Sequence, residues 1–240
     1  MLDSVYAMLK SIGMTPEDVV LRWIEEGKID WNRIAELAKQ KEFGKNSEVK
    51  KIKEVKAGMF LTVNKTICDQ FSPDECVAII LKVFTDSNEA LVFSVRGETL
   101  AFARGGKPAD TSGFSGLNAT HFLSQMAKDM NVISEAADYC LEYENDFVSK
   151  GNAFLLSKEE LESLDNVADI CKAFDAARLS DKTFWTSTTP AYNLKPDGEN
   201  VYQTAYTFSL RGSKFSIHSE YVSLPLAVHP AYKVKLNQIL

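Results

Sequence analysis

The feature that most constrains this chain is the nearly continuous apolar run ECVAIILKVF, residues Glu75 to Phe84. A membrane-spanning helix needs about 20 apolar residues, so this run is too short to cross a bilayer. Its length and its lack of alternation are typical of a strand that is buried on both faces. The turn-forming residues Asp86 to Asn88 follow, and then the apolar segment Ala90 to Val95. We therefore predict an antiparallel hairpin at the centre of a sheet.

The rest of the chain after residue 55 separates into a block of helices between two blocks of strands. Ser157 and Glu160 have the spacing of a capping box, which indicates that a helix begins at residue 158. We predict helices at 118–129, 133–144, 158–165 and 167–178. We predict further strands at 58–63, 183–187, 202–211, 214–219 and 222–228. A Gly- and Ser-rich loop is expected at 104–117. Helices and strands that are segregated in this way predict an α+β fold.

The first 43 residues are predicted to form a short helical N-terminal module. Three apolar stripes recur there at helical spacing, and they include Trp23 and Trp31. A unit of about 40 residues rarely builds a sufficient core alone. We therefore expect residues 1–43 to dock onto the rest of the chain, onto copies of it or onto a protein partner in a larger assembly. Residues 44–56 are predicted to be a lysine-rich linker, and residues 57–240 the main domain.

Composition and charge limit the classes of partner that we expect. The formal net charge of -6 gives no general attraction to phosphate, so we do not expect nucleic acid to bind. No segment is long and apolar enough to span a membrane, and the start shows neither an export signal nor a lipobox cysteine. We expect a chain made in the cytoplasm. Four scattered cysteines are then expected to be free thiols, namely Cys68, Cys76, Cys140 and Cys171.

The sequence shows no pattern for catalysis, a cofactor or a metal. The histidines His121, His218 and His229 lack the spacing of metal ligands, and no phosphate loop or nucleophile elbow occurs. We therefore expect no cofactor, no metal and no enzymatic activity. An intracellular enzyme on the same scaffold remains an alternative, and it would require a polar pocket with a titratable pair of shifted pKa.

A family resemblance rests on motifs spread over about residues 55–230. They are KAG at 56–58, a helix that ends at Cys140, LLSKEEL at 155–161, FWTST at 184–188, AYTF at 205–208 and YVSLPLAV at 221–228. In order and spacing these motifs resemble C-type-lectin-like domains of the formylglycine-generating-enzyme type, as found in bacterial surface lipoproteins and phage receptor-binding or variable proteins. Three positions depart from the pattern, with Leu156 for proline, Thr189 for an acid and Leu224 for arginine.

The resemblance implies a C-type-lectin-like domain with antiparallel sheets and flanking helices. The catalytic cysteine pair and the calcium motifs of such domains have no counterpart here, so the resemblance implies a scaffold for display. It implies neither oxidase activity nor a calcium site. The most specific motif centres on Trp185, which we expect to be a core residue because it lies among alternating apolar positions.

The candidate binding surface is the segment 192–221, where aromatic and adaptable polar side chains mix. Its candidate contact residues are Tyr192, Asn193, Asn200, Tyr202, Gln203, Tyr206, Arg211, Lys214, His218 and Tyr221. Two interpretations are open, because alternate residues of ordinary strands are also polar where they face water. We expect Phe208, Leu210, Phe215 and Ile217 to point inward, and Tyr202 and Tyr206 share the parity of Phe208.

The resulting hypothesis is a non-enzymatic binding or display protein that forms oligomers. The version that agrees with a cytoplasmic origin is a phage virion or adhesion component, whose lectin-like domain contacts a protein or glycan on a host surface or a virion partner. A purely structural assembly subunit is a further alternative.

Overall fold

The computed structural model describes residues 55–104, 110–131, 133–189, 204–211 and 214–239. The predicted helical module 1–43, with Trp23 and Trp31, and most of the lysine-rich linker lie outside the described residues. The described part belongs to one compact unit. It contains two five-stranded sheets and four α-helices, so the predicted α+β class is confirmed.

The first sheet is built around the predicted hairpin. Its strands are β1 (Phe60–Thr62), β2 (Ile67–Cys68), β3 (Cys76–Phe84), β4 (Glu89–Ser94) and β10 (Ala231–Lys235). Their order is β10-β4-β3-β1-β2, and all pairs are antiparallel. Asn88 adopts a left-handed backbone with φ of 54°, which closes the turn between β3 and β4. The apolar run thus forms the central strand, as its composition predicted.

The second sheet carries most of the C-terminal strands. Its members are β5 (Glu98–Ala101), β6 (Thr183–Trp185), β7 (Thr204–Arg211), β8 (Lys214–Tyr221) and β9 (Pro225–Val228). Their order is β5-β9-β6-β7-β8. The pair β6–β9 is parallel, and the other pairs are antiparallel.

The helices are α1 (Gly116–Asp129), α2 (Glu135–Glu142), α3 (Lys158–Glu162) and α4 (Val167–Ala176). The capping box of α3 is present as predicted. Ser157 Oγ accepts from Glu160 N at 3.1 Å, and Glu160 Oε2 accepts from Ser157 N at 2.9 Å. Glu160 Oε1 also accepts from Gly116 N at 3.2 Å, so one carboxylate joins the starts of α1 and α3. Burial raises the pKa of this carboxyl.

Successive residues of β6 point to opposite faces of the second sheet and define two cores. Phe184 faces the first sheet and packs in a cluster with Phe93 and Phe208, to which α4 contributes Phe174. Trp185 faces the other way and packs in a cluster with Phe102 and residues of α1 and α2. Trp185 is only 2% exposed, which confirms that it is a core residue.

Some predicted bounds are wrong. The Gly- and Ser-rich loop was predicted to run to residue 117, but α1 begins at Gly116, capped by Ser115. The strand predicted at 222–228 begins at Pro225, because a turn occupies residues 222–224. The strands β2, β5 and β10 were not predicted. All three are short, and β5 and β10 also depend on pairing with a distant strand.

Candidate functional site

The hairpin of β7 and β8 contains the described part of the predicted binding surface. Eight consecutive residue pairs join the two strands, from Thr204 with Tyr221 to Arg211 with Lys214, without a register shift. Phe208 and Leu210 are buried, while Phe215 and Ile217 are half-buried and pack against the core. The predicted inward-facing positions are therefore confirmed, and the period of two in the sequence fixes the two faces of the hairpin.

Aromatic contacts hold the inner face of this hairpin in place. The rings of Phe208 and Phe184 stack with centroids 4.9 Å apart. Phe215 contacts Phe208 edge-on at 5.8 Å and Phe174 of α4 at 6.4 Å. Because ring pairs of this kind add specific geometry to apolar burial, the hairpin has a firm base on the core.

The predicted contact residues divide between the two faces of the hairpin. Lys214 and His218 are exposed and alternate with the inward residues of β8. Tyr206 and Tyr221 have the parity of the inward face instead. Tyr206 is half-buried, and the ammonium of Lys158 lies 5.1 Å above its ring. The described side chains of this set therefore do not share one face, as the parity of Tyr206 in the sequence had indicated.

Of the remaining predicted contact residues, one has only its position in a strand described, and the others lie outside the described residues. Arg211 ends β7 and pairs in register with Lys214. Tyr192, Asn193, Asn200, Tyr202 and Gln203 lie outside the described residues.

The outer edge of β8 differs from the other sheet edges of the described structure. The edge strand β2 has only two residues. On the outer side of β10, Ala231 exchanges two 2.8 Å backbone hydrogen bonds with Phe154. At the edge of β5, Ala101 N donates to the carboxylate of Glu135 at 3.1 Å. By contrast, β8 is eight residues long, and within the described ranges no strand pairs with its outer side.

The sequence could not reveal this edge. Alternation in a strand shows which side chains share a face, but strand order depends on contacts between distant segments. Ser216 and Glu220, which lie in β8 beside His218, were not among the predicted contact residues for that reason.

A cavity of about 380 Å³ lies beside the edge of β5. It is lined by Thr99, Leu100, Ala101, Arg104, Glu135, Ser223 and Pro225. Arg104 Nε lies 2.6 Å from Glu135 Oε1, and the Arg104 side chain is 69% exposed. The ion pair places both a donor and an acceptor group at this cavity. In the sequence Arg104 belongs to a predicted loop, and no spacing links it to Glu135.

His229 is a core residue, and its environment shifts its pKa. His229 is 3% exposed, stacks on Phe93 at 5.6 Å and contacts Phe184 edge-on. Its Nδ1 lies 2.9 Å from the carbonyl oxygen of Ser94, so Nδ1 carries the proton and donates. Burial lowers the pKa of this imidazole to about 4. We assign His229 a structural role, because its ring is enclosed by aromatic side chains.

The cysteines agree with their sequence interpretation. All four are free thiols, and Cys76, Cys140 and Cys171 are buried. Burial, followed by the neighbouring Cys76, raises the pKa of the half-buried Cys68 to about 11. Thiols with a raised pKa are poor nucleophiles at neutral pH.

Two further properties concern only the part of the chain that the structure describes. In these ranges, His, Cys, Asp and Glu side chains form no group of three that could hold a metal ion. No helix there has the length and apolar character that crossing a membrane requires.

No protein-family model matches the chain, and no curated protein matches it. Among solved structures, it is similar to a fimbrial protein from Bacteroides ovatus ATCC 8483, with 14% sequence identity and a TM-score of 0.47. The match covers 75% of this chain and 49% of that protein. The chain thus spans about half the length of the fimbrial protein.

Proposed function

We propose that this chain is a non-enzymatic binding and display protein that contacts a protein partner through β8. The observation that carries the proposal is the long outer edge of β8, to which no described strand is paired. In an edge strand, every second residue directs its N–H and C=O groups away from the sheet. Such a row of donors and acceptors is a template for adding a strand of another chain.

The composition of β8 favours this mode of binding. The five central residues, Phe215 to Ser219, include no proline and no Asp, Glu, Lys or Arg. Proline, bulges and central charges are the usual devices that protect an edge strand from pairing. The ladder between β7 and β8 also has no bulge that would twist this edge away. An incoming strand therefore meets a regular backbone.

The base of the hairpin supports the same function. Phe208 and Phe215 anchor β7 and β8 to the aromatic cluster between the sheets. A surface that is already ordered loses little conformational freedom when it binds. Exposed Lys214 and His218 then supply polar contacts beside the edge.

The proposal extends to the virion role and the assembly module that the sequence suggested. The main domain would be the C-type-lectin-like display domain of a phage virion or adhesion protein. The module 1–43, through Trp23 and Trp31, would attach that domain to a larger assembly. Mass spectrometry of purified virions tests this version, because a virion component must be found in the particle.

A position-specific cross-link tests the binding role of β8. We expect a photo-reactive benzoylphenylalanine at His218 to form one discrete protein adduct in cells that produce the full-length chain. Both His218 and the control position Lys150 are exposed, but Lys150 lies in the turn after α2. The control variant should give no such adduct. Equal products from both positions, or none from His218, would contradict the proposal.

Stability provides the matching control. Substitutions of exposed polar residues usually change the free energy of unfolding by about 0.5 kcal/mol or less. The variant K214A/H218A should therefore keep its melting curve, while a contact residue at a binding hot spot contributes about 2 kcal/mol or more to affinity.

A further inference from the structure

We infer that the outer edge of β8 pairs with β8 of a second copy of this chain, an inference that rests on the proposed function. The two copies would be related by a twofold axis perpendicular to the sheet. Their second sheets would then join into one continuous sheet. An isologous contact of this kind uses the same surface on both copies and is the commonest arrangement of homo-oligomers.

Symmetry restricts the register of this pairing. A twofold axis perpendicular to the sheet maps each face of the sheet onto itself and places one residue opposite its own copy. Residues at equal distances on either side of that central residue then face each other. Since directly opposite residues of antiparallel strands share a face, Lys214, Ser216, His218 and Glu220 meet only one another.

The sequence of β8 is self-complementary when Ile217 is the central residue. Lys214 of each copy then lies opposite Glu220 of the other, so two pairs of opposite charge flank the axis. Ile217 meets its own copy on the inward face, and the half-exposed apolar surface of both side chains becomes buried. Ser216 faces His218, and Phe215 faces Ser219.

The neighbouring registers fit the charges less well. Centred on Ser216, the pairing places Lys214 opposite His218. Centred on His218, it places the two imidazoles opposite each other and leaves Lys214 beyond the paired residues. Only the register centred on Ile217 brings Lys214 and Glu220 together. The charge pattern therefore favours this register of the self-pairing over its neighbours.

Charge reversal tests the inference with the purified full-length chain. We expect sedimentation velocity to show a concentration-dependent dimer, and K214E to weaken it about tenfold or more, because it places like charges opposite each other twice. The double variant K214E/E220K restores opposite charges and should restore dimerisation. K150E, which changes the net charge equally at a remote exposed lysine, should dimerise like the unchanged chain.

A cysteine scan tests the register independently of charge. Opposed residues of an antiparallel pair have Cα atoms about 4.5–5.5 Å apart, within the range that a disulfide bridges. With mild oxidation by oxidised glutathione, I217C should form a disulfide-linked dimer. The matched variant S219C should not, because its two copies lie several residues apart along the strands.

The outcomes separate this inference from the proposed function. A chain that stays monomeric at every concentration overturns self-pairing. If the cross-link from His218 then joins a different protein, the binding role of β8 still holds. The register, and with it the inference, is overturned by either of two results. One is a dimer affinity that K214E does not change, and the other is an S219C variant that forms the disulfide-linked dimer as readily as I217C. Melting curves establish that each variant is folded.

Discussion

Replacing Phe93 with alanine is expected to lower the free energy of unfolding by about 3–5 kcal/mol. Phe93 is 2% exposed, and its ring contacts Phe174, Phe184, Phe208 and His229 at centroid distances of 5.2–5.9 Å. Truncation removes apolar contacts with both sheets and α4 at once, and it leaves a cavity that this close packing cannot fill. Urea unfolding followed by circular dichroism measures the loss.

An exposed phenylalanine provides the matched control. Phe114 is 40% exposed, and its ring contacts that of Phe122 at 5.4 Å. The variant F114A should therefore lose less than about 1 kcal/mol. If F93A costs no more than F114A, the aromatic cluster does not hold the two sheets together.

Local signals in the sequence predicted local structure well. The apolar run of β3, the turn at Asn88 and the capping box of Ser157 and Glu160 each depend on residues close in the chain. Parity within β7 and β8 predicted that Phe208 and Phe215 face the core, because side chains alternate along a strand.

Contacts between distant segments were not predictable in the same way. The partners of Phe93 come from α4, β6, β7 and the residue after β9, and no spacing in the sequence connects them. The pairing of Glu135 with Arg104 and the edge position of β8 depend likewise on chain topology. The candidate surface was therefore predicted on two strands that the structure pairs in one hairpin, while the edge position of β8 emerged only from the strand order.

The second large effect is expected from acid. Between pH 6.5 and pH 4, His229 alone should lower the free energy of unfolding by about 3 kcal/mol. Burial, the largest cause, lowers the pKa of His229 from 6.5 to about 4 in the folded chain. Lys182 contributes in the same direction, with its ammonium 3.5 Å from Nε2, whereas the hydrogen bond to Ser94 opposes the shift.

The direction of this effect follows from proton binding. Below pH 6.5 the unfolded chain protonates its imidazole while the folded chain does not, so acid favours unfolding. The contribution of His229 is fully present above pH 6.5, and it is lost as the pH falls through the folded pKa of about 4. Carboxyl groups add their own dependence on pH, which a variant without the imidazole shares.

The variant H229Q isolates the imidazole, because glutamine keeps a donor for the Ser94 carbonyl but does not titrate. Urea unfolding at pH 7 and pH 4 should show a smaller loss in H229Q than in the unchanged chain, by about 3 kcal/mol. The loss in K182M should lie between those of H229Q and the unchanged chain. Removing the ammonium raises the folded pKa of His229 towards 6.5, which narrows the pH range between the unfolded and folded pKa values. Equal losses in all three proteins would show that His229 is not held neutral in the core, and that its ring is not enclosed between Phe93 and Phe184 in solution.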